Sequence, residues 1–141
     1  MAGTLTNLGS QDILDYIGSN TVIAGAGSLY MALWSADPTN DGSGGAEVAD
    51  SGTDYVREII SFGTPTNAAP SVMENDGPCE FNGGAAITGN WNGSVAIPGF
   101  AIFTAETGGV MIAHGLLDTA KAVTDGDTVS FITGAISISL T

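Results

Sequence analysis

The sequence predicts an all-β fold, an antiparallel β-sandwich of the jelly-roll type with one short N-terminal helix. Two observations support this fold class. First, 21 glycines separate short apolar runs along the 141 residues, as turns separate strands. Second, several of these runs alternate apolar and polar residues with the period of a strand. Roughly seven or eight such runs at short spacing are typical of a sandwich or jelly roll.

One helix is predicted near the N-terminus, over residues 11–17. Ser10 is the candidate N-cap, because its hydroxyl can accept from a backbone N–H of the first turn. Gly18 is the candidate residue that ends the helix. The helix either packs over an open end of the fold or docks on a neighbouring subunit.

Five apolar residues of this region form a candidate interface. Ile13, Leu14 and Ile17 fall on one stripe of the predicted helix. Leu5 and Leu8 precede the helix and are expected to add apolar anchors outside the sandwich. We therefore expect this segment to contact other protein chains.

Eight strand segments follow the helix. The clearest is residues 28–35, where side chains alternate in a run rich in β-forming residues. In chain order the others are residues 55–62, 72–74, 79–81, 94–104, 110–117, 128–132 and 135–140. The residues expected to point into the core are Leu29, Met31, Leu33, Ile102, Ile112, Phe131, Ile136 and Ile138.

The length fits one domain that can bury its own core. We divide the chain into an N-terminal arm with the helix, residues 1–20, and a single β-sandwich domain, residues 21–141. No run approaches the roughly 18 apolar residues of a membrane span. The first ten residues lack the charged and apolar regions of a secretion signal.

The charge of the chain is low in amount and one-sided in sign. Asp and Glu number 15 against 2 for Lys and Arg, a net charge of -13. Charged residues make up 12% of the chain, whereas about 25% is usual for a soluble domain. Phosphate-tracking nucleic-acid binding is excluded, because it needs several cations. A surface this poor in charge is expected to include an interface with its own copies.

The residues with reactive side chains do not form a catalytic pattern. His114 is the one histidine and lies in an apolar strand, and Cys79 is the one cysteine. No disulfide within the chain and no cysteine zinc site can form. Asp37 and Asp41 resemble part of a calcium loop, but position twelve is Val48 and not the glutamate of an EF-hand. We expect no catalytic residue, no metal and no cofactor.

Arg57 is the candidate structural anchor of the fold. Tyr55 lies two residues before it, on the same face of a predicted strand. We expect the guanidinium to pair with a carboxylate inside the chain, such as Asp127 or Asp54, since arginine forms bidentate pairs with carboxylates. A pair across a subunit interface is the alternative.

A series of short motifs in fixed order points to a known family. These are LYMALWSADP at residues 29–38, Glu47-Val48, Tyr55-x-Arg57, Phe62-Gly63, GFAIF at residues 99–103, ETGG at residues 106–109, residues 117–121 and Gly126-Asp127-Thr128. Together with the N-terminal helix, their order resembles a family of small virion proteins of tailed bacteriophages. The resemblance covers nearly the whole chain, and residues 75–92 depart from it. Members are often labelled tail-fibre proteins, and similar small sandwiches decorate phage heads.

The resemblance implies a structural protein on the outer surface of the virion, made in the cytoplasm of the bacterial host. Our first expectation is a capsid decoration protein, or cement protein, bound to the major capsid protein as a homo-oligomer such as a trimer. The alternative is a tail-fibre or tail-tip component that presents aromatic residues such as Trp91 to a host surface glycan. No enzymatic activity, nucleic acid or membrane is expected in either case.

Overall fold

The structure is a computed structural model that describes residues 1–19, 27–49 and 51–140. Within these residues the chain forms one α-helix and nine strands, so the predicted all-β class is confirmed. The elements are β1 (Ala2–Leu5), α1 (Asn7–Ser19), β2 (Leu29–Trp34), β3 (Glu58–Ile60), β4 (Ser71–Glu74), β5 (Cys79–Glu80), β6 (Ile97–Phe103), β7 (Met111–Lys121), β8 (Ser130–Phe131) and β9 (Ser137–Leu140).

Seven strands form one curled sheet in the order β3-β2-β6-β7-β1-β9-β4. Every neighbouring pair is antiparallel except β1 and β9, which are parallel, with Gly3 opposite Ile138. On its other side β1 is antiparallel to β7, with Thr4 opposite His114. The sheet is therefore mixed, because the first strand of the chain lies between two of the last.

The outer edge of β4 is covered by the chain that follows β3. Phe62 forms an isolated bridge with Asn75. The amide of Gly63 donates to the carbonyl of Glu74 at 2.9 Å, and the amide of Thr66 donates to the carbonyl of Val72 at 2.8 Å. These bonds use backbone groups that a free edge strand would offer to another chain. The two ends of the sheet thus meet along this segment.

A second, smaller layer lies over one face of the sheet. It contains the two-stranded sheet of β5 and β8 and the backbone pairing that continues beyond it, such as the amide of Trp91 to the carbonyl of Val123 at 3.0 Å. Trp91 and Phe81 are fully buried between the layers, with ring centroids 5.6 Å apart in an edge-to-face arrangement. Two β layers around one apolar core give a sandwich-like fold.

Asn75 joins the two layers where the chain passes from β4 to β5. Its side chain is 1% exposed. Its amide group donates to the carbonyls of Gly77 at 2.7 Å and Ile132 at 3.0 Å, and its Oδ1 accepts from the amide of Ile136 at 2.8 Å. Because every polar atom of the side chain has a partner, its burial is compensated.

The predicted core residues all belong to the core between the two layers. Five are fully buried there, namely Met31, Leu33, Ile102, Ile136 and Ile138. The other three are half-buried against the same cluster, namely Leu29, Ile112 and Phe131. The alternation of apolar side chains therefore identified the inward face of β2, β6 and β9.

Two predictions about the elements are wrong, and one strand was not predicted. The strand β1 was not predicted, because its four residues show no strong alternation and are held by pairing with β7 and β9. The strand predicted over residues 55–62 is limited to β3. The helix begins before Ser10, because Thr6 provides the cap: its Oγ1 accepts from the amide of Gly9 at 3.0 Å.

Leu5 is not an anchor outside the sandwich. It lies in β1 opposite Ala113 of β7 and is half-buried against the core. The reason is that β1 pairs with strands on both of its sides, which places the first residues within the sheet. The predicted boundary at residue 20 lies outside the described residues.

Candidate functional site

Helix α1 packs closely against β7 at Gly9, which has no side chain. Gly9 is buried, and a Cβ at this position would overlap the carbonyl oxygen of Ile112. Ile13 follows one turn later on the same side and is half-buried. Because residues four apart lie on one face of a helix, Gly9 and Ile13 define the side of α1 that faces the sheet.

The remaining candidate interface residues divide between exposed and undescribed side chains. Leu8 is 55% exposed and Leu14 is 67% exposed. Ile13 and Leu14 therefore do not share one packed side of α1, since Ile13 is half-buried and Leu14 is exposed. The candidate interface itself stays a prediction. The side chain of Ile17 lies outside the described part of the structure.

The docking of α1 predicts opposite effects for two glycine substitutions in the same helix. Gly9→Ala should lower the free energy of unfolding by about 1–3 kcal/mol, because its methyl group meets the backbone of β7. Gly18→Ala should raise it by up to about 1 kcal/mol, because nothing lies within 4 Å and alanine favours the helix. Urea denaturation of both variants measures this. Equal effects of the two substitutions would contradict the docking mode.

Arg57 is the centre of a hydrogen-bonded cluster that joins three parts of the chain. Its Nε donates to Glu47 Oε1 and its Nη2 to Glu47 Oε2, both at 2.8 Å, which is a bidentate pair. Its Nη1 donates to the carbonyls of Ala105 at 3.0 Å and Gly108 at 2.7 Å. The side chain is 9% exposed, so this cluster is an internal anchor of the turn before β7.

Two aromatic residues complete the Arg57 cluster. The Tyr55 hydroxyl donates to Glu47 Oε1 at 3.1 Å and accepts from the amide of Leu33 in β2 at 3.0 Å. Burial, together with the negative charge of Glu47, raises the pKa of Tyr55 well above its ordinary value. The Arg57 guanidinium lies 3.5 Å from the centroid of the Phe103 ring, a cation–π contact.

Neither predicted carboxylate is the partner of Arg57. Asp127 accepts from the amide and hydroxyl of Thr124, and these bonds lower the pKa of Asp127. Asp54 accepts from the side chains of Asn82 and Trp91. Glu47 takes their place because Ser35 and Ala46 exchange backbone and side-chain hydrogen bonds that hold its segment beside β2. The motif Glu47-Val48 was the available sequence signal.

His114 has a structural environment, as predicted. It is 7% exposed. Its Nδ1 lies 2.8 Å from Asp37 Oδ1, and its Nε2 lies 3.0 Å from Asn40 Oδ1. Both ring nitrogens are thus engaged by one loop, which packs over the face of the sheet opposite the main core. No nitrogen is left to act as a base toward a nucleophile.

Cys79 and Trp91 are both inside the fold. Cys79 is fully buried, and burial raises the pKa of its thiol to about 12, so it is not a reactive thiolate at neutral pH. Trp91 is fully buried, and its Nε1 donates to Asp54 Oδ1 at 3.3 Å. The expectation that Trp91 is presented to a glycan is therefore wrong, because this ring fills the core.

In the Asp37–Asp41 loop, the carboxylate of Asp41 stabilises the turn of its own loop. Asp41 Oδ1 accepts from the amide and the hydroxyl of Ser43 and from the hydroxyl of Thr39. The hydrogen bonds from Ser43, with that from Thr39, lower the pKa of Asp41 to about 2.

Across the described ranges, no group of three or more His, Cys, Asp or Glu residues could hold a metal ion. In the same ranges, no helix is long and apolar enough to cross a membrane.

Comparison with known proteins identifies the family. The family described as podophage GP4 fiber I protein gp80 matches residues 4–139. No curated protein matches the chain. The matched range includes α1, the Arg57 cluster and all strands from β2 to β8. The chain therefore belongs to this family of podophage fibre proteins and is a structural protein of a tailed phage, located in the virion.

Proposed function

We propose that this chain is a non-catalytic building block of a fibre on the outer surface of the virion. It is made in the cytoplasm of the bacterial host and joins its partners through uncharged apolar surface. The observation that carries this proposal is the outer side of α1, where Leu8 is 55% exposed and Leu14 is 67% exposed. Large apolar side chains at that exposure are suited to burial against another protein.

The charge of the chain supports an apolar mode of attachment. Copies that each carry a net charge of -13 repel one another. Burial of apolar area must therefore supply the free energy of association. Salt at 0.1 M screens the repulsion between charges more than about 10 Å apart. Association should therefore strengthen with salt. The proposed partners are other copies of the chain, in a homo-oligomer such as a trimer.

A host surface glycan is a further partner of the proposed fibre. Trp91 does not contribute to such contact, since it is buried. Glycan binding would depend on exposed polar loops, in which Asn, Ser, Thr and Gly are frequent. Catalysis on the glycan is not part of the proposal.

Capsid decoration is the second candidate function, with the major capsid protein as partner. The low fraction of charged residues, 12%, favours it, because a cement protein contacts both the shell and its neighbours over much of its surface. The family name favours the fibre. The two candidates differ in copy number, since a capsid lattice repeats its binding sites far more often than a tail does.

The experiment combines localisation with a surface variant. Phage lacking the chain are grown in cells that supply either the parent protein or the double variant Leu8→Ser, Leu14→Ser. The control is Val95→Ser, because Val95 is 64% exposed and lies outside α1. Immunogold labelling and quantitative mass spectrometry give the location and the copies per particle.

The proposal predicts label on the tail, few copies per particle and loss of at least about tenfold in incorporation for the α1 variant, equal to about 1.4 kcal/mol. The control should be incorporated as the parent is. Label over the head with many copies would establish decoration in place of the fibre. Undiminished incorporation of the α1 variant would exclude α1 as the attachment surface.

A further inference from the structure

A groove opens between the two layers of the sandwich because β7 is irregular. Ile97 pairs with Lys121 and Gly99 pairs with Leu116, so β7 has three more residues than β6 over this stretch. The extra residues form an irregular bulge in the pairing of β6 and β7. Bulges of this kind are frequent beside functional sites, where they redirect side chains. The groove has a volume of about 550 Å³, within the range of small-ligand sites.

The floor of the groove is aliphatic. Leu33 and Ile97 are each 1% exposed and form its base, and Leu117 and Val129 are half-buried along its walls. Phe131 also lines it, but its ring packs edge-to-face on Phe81 with centroids 6.3 Å apart. The floor therefore suits an alkyl chain.

The rim of the groove carries charged groups of both signs, and they differ in how far other residues already bind them. The side chain of Asp118 is 81% exposed, and its Oδ2 lies 3.6 Å from the ammonium of Met1. This ammonium also donates to the carbonyl of Ala135, and the side chain of Met1 is 11% exposed. Asp127 is held by Thr124 and faces Lys121, whose positive charge helps to lower the pKa of Asp127. Asp118 is thus the rim carboxylate most open to a ligand.

We propose that this groove binds a lysine or arginine side chain of a partner protein, with the alkyl stem on the aliphatic floor and the cationic head beside Asp118. Long basic side chains bury their methylene groups while the charge remains in water. The net charge of -13 attracts cations to the chain at long range. Asp118 must supply the local contact, because the charges that line the groove balance, with Met1 and Lys121 against Asp118 and Asp127. The proposal concerns the ligand chemistry of the groove and goes beyond the location of the protein in the virion.

The test uses small probes on the isolated, full-length, ¹⁵N-labelled chain. Hexylammonium carries the proposed alkyl stem and cationic head, hexanoate has a similar chain with the opposite charge, and maltose represents a saccharide. We expect hexylammonium to shift the amide resonances of residues 117–123 and 129–131 in a saturable manner. Hexanoate should bind at least about threefold more weakly, the effect of one exposed charge contact.

Two matched variants identify the role of Asp118. Asp118→Asn should weaken hexylammonium binding about threefold or more. Glu106→Gln makes the same change in net charge away from the groove and should leave binding unchanged. Equal binding of hexylammonium and hexanoate, an effect of Glu106→Gln equal to that of Asp118→Asn, or groove shifts with maltose alone would overturn the proposal. Because no virion is used, failure here would not bear on the fibre assignment.

Discussion

Arg57→Met is expected to lower the free energy of unfolding by up to about 3–5 kcal/mol, the effect of removing one partner of a fully buried ion pair. The substitution leaves the Glu47 carboxylate, whose side chain is 26% exposed, without its cation. It also removes the donors to the carbonyls of Ala105 and Gly108. Chemical denaturation followed by intrinsic fluorescence measures the change, which is a large part of the stability of an ordinary domain.

Lys121→Met is the matched control for Arg57→Met, because it removes the same charge from an exposed side chain. Its effect should stay within about 0.5 kcal/mol. Adding Glu47→Gln to Arg57→Met should destabilise by less than the sum of the two single changes, because the residues act as a pair. Additive effects, or similar effects of the arginine and lysine substitutions, would contradict the internal anchor.

Asn75→Asp is expected to destabilise the protein by about 3 kcal/mol or more at neutral pH, although it only replaces the side-chain NH2 group by an oxygen atom. The carboxylate would face the carbonyl oxygens of Gly77 and Ile132, which now accept from the amide. Burial and these two oxygens would raise its pKa in the folded state above the unfolded value of about 3.9. The destabilisation relative to the parent should therefore be smallest near pH 4 and grow as the pH rises.

Asn7→Asp is the control for Asn75→Asp, since it adds the same charge at an exposed position. It lies at the start of α1, where a negative charge is favourable. Denaturation curves at about pH 4 and pH 7 compare the variants. If Asn75→Asp showed no greater loss than Asn7→Asp, or a loss independent of pH, the proposed hydrogen bonding of Asn75 would be wrong.

The sequence predicted those parts of the fold that depend on local pattern. Leu29, Met31 and Leu33 alternate over enough residues for the buried face of β2 to be evident. Residues 2–5 carry no such pattern, and β1 exists because β7 and β9 offer backbone groups on both sides of it. Pairing between residues so distant in the chain cannot be deduced from local periodicity.

The sequence predicted that Arg57 is a structural anchor, but it did not predict which residue pairs with it. The scarcity of cations singled out Arg57 as an anchor, yet the 15 acidic residues left many possible partners. The fold identifies Glu47 as the partner. The small size of Gly9 decides which side of α1 faces β7. The spacing of apolar side chains along the helix does not reveal this, because it contains no information on close backbone contact.

The parallel pairing of β1 with β9 determines when folding can be completed during synthesis. Ala2 and Gly3 are synthesised long before Ser137 and Ile138, which lie opposite them. Until β9 has been synthesised, β1 lacks one of its two neighbours, so the central sheet closes late. Such non-local pairing slows folding. A fragment that stops before β9 cannot complete this sheet.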